Sequence, residues 1–175
     1  MSVKRLVKRA AFEPATHEAG SRPSFRERVH MLVGHTTWRE PAQGSSAQRP
    51  IPTDHMIAAA LSFGREGPDD IGPDIAFDMA TGRMGHHRRV CETLGVALLR
   101  GVREQNQGEA NRLRPYVAVV AWASYCAVVG AGQPPKPDGC RQDDWHDWVA
   151  AGALVLERLA EDALSAAVRR ARRAA

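Results

Sequence analysis

A chain of 175 residues with 43% hydrophobic and 25% charged residues is long enough to bury a core and too apolar to remain wholly disordered. Its formal charge is +4, but the charges are segregated: residues 1–50 hold nine basic and four acidic side chains, 51–82 one and six, 83–114 seven and three, and 115–175 seven of each. Three cysteines at unrelated spacings argue against a disulfide framework, the basic start Met1–Arg9 lacks the apolar stretch of a secretory signal, and no apolar run reaches the ~20 residues of a membrane span.

These points predict a cytoplasmic protein without a membrane segment. Of the 24 basic residues 21 are arginines, which suit bidentate phosphate contacts, although a GC-rich genome produces the same bias without function. Segregated charge is how a face for phosphates or for acidic partners is built.

Residues 1–52 read as a basic N-terminal arm, a short helix and a linker. Ser24-Phe25-Arg26-Glu27 has capping-box spacing, with Phe25, Val29 and Leu32 on one face and Gly34 as the stop. From Thr36 to Pro52 the residues Pro41, Gly44, Ser45, Ser46, Pro50 and Pro52 break any period, and Trp38 is the one large anchor. Residues 53–175 read as a helical domain. Thr53 begins a helix with Asp54 in its first turn, Ile57, Ala60 and Leu61 as its stripe, and Gly64 as its end. Gly67-Pro68 and Gly72-Pro73 bracket an acidic turn at Asp69-Asp70, and Ile75 to Ala80 forms a short helix ended by Gly82.

The stretch from Arg83 to Gly132 organises the rest. From Gly85, Val90, Leu94, Leu98 and Val102 recur at i, i+4 and predict one buried stripe, with Arg89, Glu92, Arg103 and Glu104 on more exposed faces. Asn106-Gln107-Gly108 breaks the helix, and Pro115 suits the first position of the next. Tyr116 to Val129 is apolar nearly all round, which predicts a central helix surrounded by its neighbours and an unfolded Val119→Asp variant. A Pro-rich connector, Gln133 to Gly139, leads to a long last helix opened by Asp143 and Asp144 and lined by Trp145, Trp148, Gly152, Leu156, Leu159 and Ala163. It closes on Arg169, Arg170, Arg172 and Arg173, where positive charge complements the helix dipole.

Four patterns bear on chemistry. Arg83, His86, His87, Arg88 and Arg89 crowd positive charge at the positive end of a helix dipole, which a phosphate would relieve, since helix N-termini bind anions. Neutralisation within the protein by Asp69, Asp70, Asp74 or Asp78 is the competing account. The helix, Gly turn and basic helix across 74–104 share the outline of a helix-turn-helix, but with a longer turn and two glycines, Gly82 and Gly85. His87, Cys91, Cys140 and His146 are of the types that make a Cys₂His₂ zinc site, but lack the tight Cys-x-x-Cys spacing of one. Trp122, Tyr125, Trp145 and Trp148 lie on the most apolar helices and read as core. No nucleophile elbow, phosphate loop or paired-carboxylate pattern points to catalysis.

The expectation is therefore an all-α protein: an irregular helical bundle around a central apolar helix at about 116–129, with an irregular, partly extended N-terminal third. Its expected function is that of a small cytoplasmic regulatory protein, without catalysis or cofactor, that binds nucleic acid (DNA rather than RNA) or a transcription complex containing RNA polymerase. The nucleic-acid residues would be Arg83, His86, His87, Arg88, Arg89, Arg169, Arg170, Arg172 and Arg173. The alternative is a helical adaptor for a protein partner or a second copy of itself.

Overall fold

The computed structural model describes residues 25–29, 54–62, 67 and 70–174, with 171–174 described by backbone alone. All regular structure among them is helical: α1 Asp54–Ser62, α2 Gly72–Thr81, α3 His87–Gln105, α4 Gln107–Leu113, α5 Val117–Val129 and α6 Gln142–Ala174. Residues 25–29 are helical as well. The features expected at Ser24, Leu32, Gly34, Trp38, the 36–52 linker, Thr53 and Gly64 lie outside the described residues. The described chain divides into two compact units, one holding Met84–Arg158 and the other the residues up to Arg83 together with α6 from Leu159 onward.

In the first unit, Val90, Leu94, Leu98 and Val102 are buried along α3, as their 3.6-residue period requires. Each such side chain contributes roughly 1.5–3 kcal/mol relative to an exposed position. They face α5. His87 meets Trp122, with ring centroids 5.6 Å apart, and a Cβ placed on Gly95 would lie 3.6 Å from Val117, so the two helices run antiparallel.

Asn106-Gln107-Gly108 breaks the helix as expected, α3 ending at Gln105, and it also opens the next one. The Asn106 side chain accepts hydrogen bonds from the backbone N–H groups of Gly108 (2.9 Å) and Glu109 (3.2 Å), so Asn106 caps a further short helix, α4. Asparagine favours turns and N-caps for the same reason, its side-chain oxygen satisfying nearby orphan donors. Pro115 lies in a 3₁₀ turn, Arg114–Tyr116, and α5 starts after it at Val117.

Helix α5 is only partly enclosed. Val120, Ala121, Ala123, Ser124, Tyr125 and Cys126 are buried, whereas Ala118, Val119 and Ala127 are exposed. The expected enclosure by neighbouring helices therefore holds on one side of α5 and not on the other. A uniformly apolar helix has no stripe to show which side meets its neighbours.

On the buried side, α5 crosses α6 at Ser124 and Gly152. A Cβ on Gly152 would lie 2.9 Å from Ser124 Cβ, closer still to its Oγ, and 3.5 Å from Leu98. The Ser124 hydroxyl is fully buried and directs its single proton between the Val120 carbonyl at 2.8 Å and the Val149 carbonyl at 3.1 Å. Around this crossing Trp145, Trp148, Val149 and Leu156 of α6 are buried.

In the second unit α1 packs on α2 through Ile57 and Leu61, which are buried while Ala60 is half-buried. Helix α2 begins at Gly72, three residues before the expected Ile75. Pro73 sits in the first turn, where a missing N–H costs nothing, and Asp70 Oδ1 accepts from Gly72 N at 3.0 Å. Gly72-Pro73 therefore opens the helix and does not close the acidic turn. A Cβ on Gly72 would stand 2.8 Å from the Leu159 carbonyl oxygen and 3.2 Å from Ala163 Cβ, so only glycine lets α2 approach α6 this closely. Arg28 binds Glu161 of α6 in a two-pronged ion pair.

This packing has two measurable outcomes. Val120→Asp places an unpaired charge at a fully buried site and is expected to unfold the protein in a thermal melt. Val119→Asp, at an exposed one, is expected to stay within about 1 kcal/mol of the parent. Gly152→Ala is expected to cost about 1–3 kcal/mol by overpacking against Ser124, and a denaturant titration that leaves the midpoint unchanged would show the crossing to be looser than this.

Candidate functional site

The first turn of α3 contains no acidic residue, and His86 at its N-cap makes no side-chain cap. His86, His87, Arg88 and Arg89 follow one another in sequence at this helix start. Arg88 projects into solvent, with 86% of its side chain exposed, and its Nε donates to Glu92 Oε1 at 3.0 Å one turn along the helix. His87 is exposed but held in place: Nδ1 lies 2.8 Å from the Met84 carbonyl oxygen, so that nitrogen carries the proton of the bond. Its ring meets Trp122 edge-on at 72°. Arg89 is half-buried and has an interaction of its own, as does His86.

The remaining candidates belong to the second unit. Arg83 is exposed and pairs with Asp54 of α1 at 2.8 Å. That partner lies far back in the chain, outside the acidic segment expected to neutralise the cluster. Asp74 and Asp78, which belong to that segment, are buried on α2, and both have interactions. Arg169 and Arg170 are exposed near the end of α6, and the side chains of Arg172 and Arg173 lie outside the described residues. Arg83 closes its stretch of the second unit, and His86 to Arg89 belong to the first.

Residues 74–104 do contain a helix, a turn and a second helix, with Gly82 in left-handed backbone (φ 70°) ending α2. The turn between the helices covers residues 82–86, longer than the three or four residues or so of a compact helix-turn-helix.

The zinc set is not assembled. Among the described residues no group of three or more His, Cys, Asp or Glu side chains is placed to hold a metal ion. His87 Nδ1 is taken by Met84, His146 is exposed beside Gln142, and Cys140 is buried. The Cys91 thiol is pushed up to about 12 by burial first, then by the proximity of Cys126 and Glu92. Burial also raises Cys126 and Cys140. Such thiols are poor nucleophiles at neutral pH, because the thiolate is the reactive form.

Trp145 and Trp148 are core, as their periodicity indicates, and Trp148 Nε1 donates to Glu109 Oε1 at 3.4 Å. Trp122 differs. It is half-buried, stacked on buried Tyr125 at 5.8 Å and 19°, and meets exposed His87 as well. Sequence spacing carries no sign of the His87–Trp122 or Arg83–Asp54 contacts, because each joins separate helices or a helix and a turn. Arg88–Glu92, at i, i+4, is visible in it.

No described helix is long and apolar enough to cross a membrane. Comparison with protein-family models, curated proteins and solved structures yields no match for this chain.

The thiol environments have a measurable consequence. At pH 8 a thiol-specific disulfide reagent is expected to label Cys91, Cys126 and Cys140 only after denaturant unfolds the protein. The sign for Cys91 follows from its raised value: protonation favours the folded state between pH 9 and about 12, so its contribution to stability is complete below pH 9 and lost as pH rises through that window. Rapid labelling of one thiol in the native protein would contradict the burial.

Proposed function

We propose that the protein is a small, non-catalytic helical regulator that engages nucleic acid, or a nucleic-acid-bound machine such as RNA polymerase, through the cationic start of α3. The observation carrying this reading is the uncapped, acid-free first turn of α3 beside an Arg88 side chain that is 86% exposed. Positive charge there opposes the helix dipole by roughly 0.3–1 kcal/mol per exposed group, and a phosphate would turn that penalty into an attraction. The Glu92 that pairs with Arg88 is itself 67% exposed. Such surface pairs contribute roughly 0–1 kcal/mol, so exchanging carboxylate for phosphate costs little. Arg169 and Arg170 offer exposed charge at the end of α6.

The second reading, an adaptor for a protein partner or for another copy of the chain, draws on two different observations. Arg83 is already neutralised by Asp54, and the first unit exposes Val96 (67%), Val119 (36%) and Val155 (37%).

One variant separates the two. Arg88→Ala combined with Arg89→Ala is expected to weaken binding to duplex DNA equally for all sequences. It should also flatten the dependence of log affinity on log salt by about 0.9 for each phosphate that is no longer neutralised. For Arg88→Ala alone the melting temperature is expected to hold or rise slightly, because relief of the dipole offsets removal of the exposed Arg88–Glu92 pair. A wild-type protein with no salt-sensitive affinity for nucleic acid would leave the adaptor reading.

A further inference from the structure

The start of α3 carries two features: an exposed aromatic ring with a fixed orientation at His87, and an exposed guanidinium on the next residue in sequence, Arg88. Tyr125 is fully buried, Trp122 stacks on it with ring centroids 5.8 Å apart, and His87 caps Trp122 edge-on at 5.6 Å. The aromatic array therefore runs from the core to the surface and ends in an imidazole. That imidazole does not swing freely, because Nδ1 is bonded to the Met84 carbonyl at 2.8 Å. Arg88, the next residue, carries its charge into solvent.

Each part matches a need of the same ligand. Unpaired bases present π faces that stack on aromatic rings whatever the base, while their phosphates seek cations. A ring already held in one orientation loses little freedom when a base covers it. A paired duplex hides its base faces and offers only phosphates and groove edges, so it would gain from Arg88 but not from His87. We infer that the His87–Trp122 edge is a stacking platform for an unpaired base, so that the nucleic acid bound at this site is single-stranded. This rests on the phosphate-binding reading of the same helix start, and replaces its expectation of duplex DNA with a narrower class of ligand.

The test uses the full chain and two probes: a fluorescent 12-nucleotide strand of mixed sequence, and the duplex of that strand with its complement. Each is titrated by anisotropy over a series of salt concentrations, with His87→Ala, His87→Phe and Arg88→Ala beside the wild type. The strand is expected to bind more tightly than the duplex. His87→Ala should weaken strand binding by about tenfold, within the range of one missing base stack, with the salt slope unchanged, because stacking releases no counterions. His87→Phe keeps an aromatic face and should restore most of that affinity. Arg88→Ala should flatten the salt slope by about 0.7 for the single strand. Circular dichroism of each variant distinguishes a binding defect from a folding defect. If the duplex binds as tightly as the strand, or His87→Ala leaves strand binding unchanged, the stacking platform is overturned while the phosphate site survives. If neither probe binds the wild type, both are overturned.

Discussion

The first unit depends on the contact between Ser124 and Gly152, where α5 and α6 come together with no space for a side chain on the α6 side. The approach buries a hydroxyl, which is tolerable only because the serine oxygen has carbonyls of both helices within reach. Once the backbones are this close, Leu98 of α3 also lies against Gly152. One glycine thus places three helices. The polar links further along, Trp148 to Glu109 and Arg112 to Asp144, join α6 to α4 and keep the short helix against the long one. The second unit repeats the device at Gly72, whose lack of a side chain admits the Leu159 carbonyl and Ala163 of α6.

This packing governs what the surface can do. Because α5 turns Val120, Ala121 and Ser124 inward, Trp122 falls at the edge of the unit and meets His87. Because α3 buries Val90 and Leu94, its first-turn residue Arg88 points away from the core and pairs along its own helix with Glu92. The cysteines follow the same logic: burial holds their protons on, and Cys126 and Cys140 belong to the apolar interior as small hydrophobes.

Much of the helical layout is legible from pattern alone. Val90, Leu94, Leu98 and Val102 specify both the existence of α3 and its buried side, since a 3.6-residue repeat has only one geometric solution. Trp145, Trp148, Gly152 and Leu156 do the same for α6. Asn106 reads as a helix breaker in the sequence and proves to be a cap, because a turn asparagine and a capping asparagine make the same local hydrogen bonds. The residues after it, Gln107 to Leu113, are too few to show a period. Pro73 reads as part of a turn and proves to open α2, since proline suits a first helical turn as well as a loop.

The all-α class, the stripe of α3, the long amphipathic α6 and the i, i+4 pair Arg88–Glu92 are local or periodic properties, and the order of residues alone specifies them. Which side of α5 is inside is settled by packing. Val119 and Val120 are chemically alike and adjacent, yet one is exposed and the other fully buried, because a helix that is apolar on every side is oriented by its neighbours and not by its own composition. The same holds for Arg83 with Asp54 and for His87 with Trp122: contacts between elements distant in the chain depend on how those elements pack, and no spacing in the sequence encodes that distance.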